Sequence, residues 1–526
     1  MDDDNLVVGP FNKDTRPAFA SLLADTERGI ARLQQVAIQA RTSINRCSPI
    51  SSLPPETLLE IFMFCCQPNY NAIGGVDGQG ICPLRLSAVC RAWRDLAWTT
   101  SCLWSVIILR KRNLCHHASH YEDILASWIE RAGNHPLSIH YEAPSNRLLH
   151  LLGQKKSKWM NVSIVVLASE YLHGVIEDHE YFPLLQHLSI CVLASSSGPS
   201  FVRDSLHGLE DLDIFNTASL PKITHLHVPK YIQHFRSNSM WLQLRTFSVS
   251  TIGAEGLCKI LDLARSLEVF NADSLEPHSS YEPPTVIHSN LRHLILKEVD
   301  STALNDLLSK PHISTPNLED LTIEINYGIS NSTSLSNFIT SFHQLQRFRV
   351  KYDDSKHPNW TFNWLLNIPS LMKLDVETSA SEIINIASAL GTPASTGTEP
   401  EYLPLLIDLT ITLRPFSNGN LMMKDIVEML AYRSSGVSPS ILRLKTALLS
   451  MAYVPFTKEN FETVQATSLG DLALTMVDSK GLSQSWYILF FSLIYSIQEP
   501  TSGKMEIGDC ENLHWMQATL IWIKLL

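Results

Sequence analysis

The densest group of metal-capable side chains in the sequence is Cys115, His116, His117 and His120. Structural zinc sites space their ligands as paired C-x2-4-C or H-x3-5-H. Four ligands crowded into so short a stretch would coordinate with awkward geometry, so the cluster reads as a surface loop. Asp211 and Asp213 stand two apart on a predicted strand and therefore share a face. On a sheet that face lines a groove or meets solvent, and nothing marks the two carboxylates as an acid–base pair. The 20 histidines are scattered and the 10 cysteines include no C-x2-C pair. No H-E-x-x-H, G-x-S-x-G or EF-hand loop occurs in the chain. The run QPNYNAIGGVDGQG at residues 67–80 lacks the Gly-Lys-Ser/Thr of a Walker loop and the preceding strand of a Rossmann turn, so it reads as a plain exposed loop. The expectation is a protein with no catalytic residues of its own, no cofactor and no metal.

The chain has 526 residues, of which 45% are apolar, and a formal net charge of −11. Such an apolar fraction belongs to folded domains rather than to a disordered chain. The acidic balance argues against broad nucleic-acid binding, which needs a basic face to neutralise phosphates. No run reaches the roughly 20 apolar residues of a membrane span, and the opening MDDDNLVVGP lacks the apolar core of a signal peptide. A reducing compartment, cytoplasmic or nuclear, is therefore expected, without disulfides and without use of the N-x-[ST] matches at Asn161, Asn331 and Asn359. No membrane partner is expected.

After residues 1–16, taken as a flexible N-terminus, residues 17–46 read as one amphipathic helix. Leu23, Thr26, Ile30, Leu33, Ala37, Ala40 and Ile44 recur at alternating steps of three and four, the a/d period of a coiled coil. The seam serves either self-association or packing onto the next domain. Residues 47–109 change character. Pro55 suits a first helical position and Glu56 the positive end of the helix dipole. Leu58, Ile61, Phe62 and Cys65 form an i, i+3, i+4, i+7 stripe, and Leu86, Val89, Cys90 and Trp93 form a second one. Leu103 and Trp104 precede a β-like run at 106–109. Trp93, Trp98 and Trp104 serve either a binding face or a core.

In this order Leu53-Pro54-Pro55-Glu56, Leu59-Glu60-Ile61-Phe62, Val89-Cys90-Arg91-Ala92-Trp93 and Leu103-Trp104 resemble an F-box, over about residues 49 to 108. The arrangement is similar to a large group of fungal F-box proteins. The resemblance implies an all-α module that binds the small Skp-family adaptor of cullin-based (SCF-type) ubiquitin ligases and, through it, cullin and RING subunits. The positions matching the adaptor-contacting pattern are Leu53, Pro54, Glu56, Leu58, Ile61, Phe62, Val89, Cys90 and Trp93.

Downstream, over residues 110–445, a strand of the form L-x-x-L-x-L/I/V recurs. Leu185-x-x-Leu188-x-Ile190 and Leu318-x-x-Leu321-x-Ile323 are typical; others begin at Leu209, Ile223, Leu244, Leu291, Leu345, Leu371 and Leu406. Trp159-x-x-Val162-x-Ile164 extends the series upstream, and Leu267-Glu268-Val269-Phe270 fits loosely. Most spacings fall in the range of about 20 to 29 residues typical of leucine-rich repeats. Helical stripes fill the intervals: Tyr121, Ile124, Leu125 and Trp128; Leu257, Ile260, Leu261 and Ala264; Leu335, Phe338, Ile339 and Phe342; Ile383, Ile386, Ala387 and Leu390, with Gly391 as a stop; and Met423, Ile426, Val427 and Leu430. The repeat asparagine appears once, at Asn326. The expected fold is α/β: an N-terminal helix and F-box followed by an irregular leucine-rich-repeat solenoid with a parallel inner sheet and outer helices. The pattern fades after Leu442-x-Leu444, and residues 446–526 are expected to cap the solenoid or to be poorly defined. The function expected is that of a substrate receptor whose repeats present a concave sheet to a substrate protein. The alternative is an F-box scaffold acting without ubiquitin transfer.

Overall fold

The computed structural model describes residues 16–66, 69–70, 76–77, 82–110, 118–142, 146–166, 181–192, 220–230, 239–276, 286–300, 302–303, 307, 313–325, 338–339, 342–352, 368–378, 380–391, 403–413, 419–435, 441–451, 463–464, 467, 469–477 and 483–486. They belong to two compact units, residues 1–293 and 294–526. Both are mixed α/β and rest on long runs of parallel strands.

The first unit opens with α1 (Arg16–Arg46), none of whose residues is buried. Three shorter helices follow, α2 (Pro55–Cys66), α3 (Pro83–Ser87) and α4 (Arg91–Thr99), packed on one another. Between α2 and α3, where a plain loop was expected, Asn69–Tyr70 pairs antiparallel with Val76–Asp77. The segment is therefore not wholly helical.

A parallel ladder then runs through β1 (Val106–Arg110), β2 (Leu137–Glu142), β3 (Trp159–Val166), β4 (His187–Val192), β5 (His225–Lys230), β6 (Thr246–Gly253) and β7 (Val269–Glu276). Parallel neighbours need a crossover. It contains α5 (Ala118–Ala132) before β2, α6 (Asn146–Gly153) before β3 and α8 (Ala254–Leu263) before β7, with the short α7 (Ser239–Gln243) ahead of β6. The centre of each repeat lies directly across from the centre of the next: Ile107, Ile139, Val162, Leu188, Leu226, Phe247, Phe270. None of these seven is more than 3% exposed. Leu188 pairs directly with Leu226; the motif at Leu209 lies outside the described residues.

The second unit, which takes up all but the first residue of β8 (His293–Val299), repeats the pattern in β9 (Asp320–Ile325), β10 (Arg347–Tyr352), β11 (Lys373–Thr378) and β12 (Asp408–Leu413). The expected fading after Leu444 does not occur. The ladder continues in parallel through β13 (Thr446–Met451) and β14 (Ala473–Val477), and β15 (Ser483–Trp486) returns antiparallel along β14. Leu321, Phe348, Leu374, Leu409, Ala447 and Leu474 are in register and buried.

Helices α9 (Ala380–Gly391) and α10 (Gly419–Ser435) bury the stripes read from sequence. Gly391 does end α9, but a Cβ on it would stand 3.2 Å from both Cα and Cβ of Met429, so close helix approach is what requires glycine there. In α10 the buried guanidinium of Arg433 donates to the Leu403 carbonyl at 2.6 Å, fixing a non-glycine residue with φ of 47°. Of the stripe at 335–342, Leu335 lies outside the described residues, as does Asn326. Among the described residues no helix is long and apolar enough to cross a membrane.

Candidate functional site

Pro54 and Pro55 set the start of α2: the Leu58 N–H donates to the Pro54 carbonyl at 3.0 Å and no earlier intrahelical donor is needed. Leu53 is half-buried, and its N–H closes the preceding turn onto Ile50 at 3.3 Å. Pro54 and Glu56 are exposed. Cys90 is the N-cap of α4; its Sγ accepts from the Trp93 N–H at 3.5 Å. A weak sulfur acceptor at this position replaces the usual Ser or Asp.

The nine positions do not form one exposed face. Leu58 and Phe62 are buried, and Phe62 meets Trp93 edge-on with ring centroids 4.8 Å apart. Both therefore pack inside the three-helix module, together with Leu86 and Ala97, and not on its exposed side. Ile61 at 37% and Val89 at 56% are exposed, as are two residues that the stripes did not single out, Phe64 at 79% and Leu84 at 44%. Phe64 lies one turn beyond Ile61 on α2. An aromatic residue outside the buried stripe was the available signal for it.

The three tryptophans divide in the same way. Trp104 is buried, donates from Nε1 to the Ala97 carbonyl at 2.8 Å and meets Trp128 of α5 edge-on at 4.8 Å. Trp98 is exposed on one side only, because Arg131 lies 4.6 Å from its ring centroid and 4.8 Å from that of Trp104. Trp98 is thus accounted for by a cation–π contact, and the helices and the first crossover share a core.

Burial, aided by Cys82, Cys65 and Cys102, pushes the Cys66 thiol up to about 12. It stays protonated at neutral pH and is a poor nucleophile or metal ligand. Among the described residues no three His, Cys, Asp or Glu side chains gather as a metal group. Cys115, His116, His117, Asp211 and Asp213 lie outside the described residues; His120 falls in α5.

The solvent sides of the two ladders form the other broad surfaces. In the first unit His187 lies directly across from His225, rings 4.0 Å apart and perpendicular. Burial, then its neighbour His225, takes His187 down to about 4. Burial, with Arg245, also lowers His225. In the second unit cross-strand charges alternate: Asp320–Arg347 at 3.6 Å, Arg349–Asp375 and Lys351–Glu377 at 3.3 Å, and Lys373–Asp408 at 3.5 Å. Each pair is directly opposed in register. Once a strand centre is known, the residues flanking it are legible in the sequence as this charge set.

Compared with known proteins, the chain matches no family model and no curated protein sequence.

Proposed function

We propose that this chain is the substrate-receptor subunit of a cullin-based ubiquitin ligase. In this reading the α2–α4 segment is an F-box that holds the Skp-family adaptor, and the parallel ladder is a degenerate leucine-rich-repeat solenoid whose sheet receives a substrate protein. The observation that carries it is the exposed apolar set Ile61 and Phe64 on α2, Leu84 on α3 and Val89 in the turn between α3 and α4, in a segment whose sequence follows the F-box order. Burying that set against a partner would return about 25 cal/mol for each Å² of apolar area removed from water. Contact is assigned to Leu53, Pro54, Glu56, Ile61, Val89, Cys90 and Trp93, with Phe64 and Leu84 added; Leu58 and Phe62 support them. Catalysis belongs to the ligase. The chain contributes position and effective concentration.

Affinity purification of the full chain from proteasome-inhibited cells, read by mass spectrometry, tests the proposal. The expected result is co-purification of adaptor, cullin and RING subunits with a substrate that accumulates, and loss of all three ligase subunits in Ile61→Asp/Val89→Asp. Adaptor without cullin would favour a scaffold role. Absence of adaptor would remove the F-box reading.

A further inference from the structure

Helix α1 spans 31 residues and buries none of them, although Leu33 and Ile44 on its seam are 71% and 70% exposed. Helical stability in water comes mainly from packing an apolar face, and Gly29 inside this helix has nothing within 4 Å of where its Cβ would be. The seam therefore needs a partner.

We propose that the partner is a second copy of the chain, and that the two α1 helices pair antiparallel with Glu27 of each against Arg41 of the other. Two features of the sequence select this geometry. With Leu23, Ile30, Ala37 and Ile44 at a positions and Thr26, Leu33 and Ala40 at d, a parallel pair would stack Ala37 on Ala37 and Ala40 on Ala40 in successive layers. Those layers would be underfilled beside the bulky Ile30 and Leu33 layers, and underfilled layers cost stability. In the antiparallel register six of the seven seam residues fall in layers that join one large and one small residue, Leu33 with Ala37, Ile30 with Ala40 and Ile44 with Thr26, while Leu23 would face Cys47 just past the end of the helix. Helix separation, which follows side-chain size, then stays constant along the seam.

Charge selects the same register. Across the e and g positions flanking the seam, the charged residues are Glu27 and Arg41. They stand about 21 Å apart along their own helix, fourteen residues at about 1.5 Å each, so they cannot pair within it. In the antiparallel register they oppose each other twice about the dyad. In a parallel pair they would face Leu22 and Val36 instead. The inference is independent of the F-box reading.

Sedimentation equilibrium of the full chain at about 50 µM tests it. The wild type is expected to be a dimer. Glu27→Arg alone and Arg41→Glu alone should each weaken the dimer about tenfold, since two exposed ion pairs become two repulsions. The double exchange Glu27→Arg/Arg41→Glu should restore wild-type affinity. Both residues of the exchange are exposed, so a far-UV spectrum should match wild type in every variant. A monomeric wild type, single variants that leave the dimer unchanged, or a double variant that is not rescued would each overturn the antiparallel pairing.

Discussion

The three helices α2–α4 and the parallel ladders handle large apolar side chains in opposite ways. In the ladders the strand centres from Ile107 to Phe270, and from Leu321 to Leu474, are almost fully buried. Each sits beneath the centre of the next strand, so one residue's burial depends on its neighbours. In the helical module Leu58, Phe62, Leu86 and Ala97 are buried, while Phe64, Leu84 and Val89 stay in water. A ladder solves its hydrophobic problem by repetition. A three-helix module of this size has too little interior to do so, and what it leaves outside is available to a partner.

The largest expected effect breaks the ladder half of the contrast. Leu321→Asp places an unpaired carboxylate under Phe348 and should unfold adjacent strands of the second unit, at a cost of about 4 kcal/mol or more. A thermal midpoint matching wild type would show that the centre positions are not a shared core. Arg433→Met comes next. It strips the buried hydrogen bond from the Leu403 carbonyl, which sits in the left-handed region, and should cost about 2–3 kcal/mol in urea unfolding.

The contrast is sharpened where the two regions meet in the first unit. Trp104 packs on Trp128, and Arg131 covers Trp98 and Trp104. A fragment ending at residue 109 should therefore expose Trp104 and aggregate, whereas one ending at residue 142 should stay soluble. Trp128→Ala in the whole chain should lower stability by about 2 kcal/mol. Equal solubility of the two fragments, by light scattering, would contradict a shared core.

The smallest effect is a pH dependence that separates the solvent sides of the ladders. His187 titrates at about 4 when folded and at its ordinary 6.5 when unfolded. Above 6.5 both states are neutral. Between 6.5 and about 4 the unfolded chain takes up the proton first, so stability falls as pH falls. After discounting for its partly exposed ring, His187→Gln should spare about 1 kcal/mol of that loss across the window. Asp375 behaves in the opposite sense. Burial raises its carboxyl despite Arg349, so the folded state gains the proton first and this residue's contribution to stability rises on acidification. Urea midpoints of wild type, His187→Gln and Asp375→Asn between pH 7.5 and 4.5 check both signs.

Much of the ladder was legible because each centre is a large apolar residue three positions after another. Leu318, Leu321 and Ile323 show the pattern, and all three are buried. Where Ala447 replaces a leucine at the centre, and Asp471 stands where the first leucine belongs, the pattern vanished from the sequence although the strands did not. Pairing was less legible than strand position, since a motif does not name its neighbour: Leu188 meets Leu226, a step of 38 residues. In the helical module the stripes identified the residues that share a face, but not which face a partner would take. Leu58 and Phe62 match the resemblance and yet are buried, Phe62 against Trp93, while Phe64 lies off the stripe and is the most exposed of the set.

The central claim is that the exposed side of α2–α4 docks a protein of the ubiquitin-ligase adaptor class. Calorimetric titration of the full chain with a Skp-family adaptor tests it directly. A one-to-one complex with a dissociation constant of about 1 µM or tighter is expected, weakened at least about thirtyfold by Val89→Asp with the thermal midpoint unchanged. No binding by the wild type, or equal binding by the variant, would contradict it.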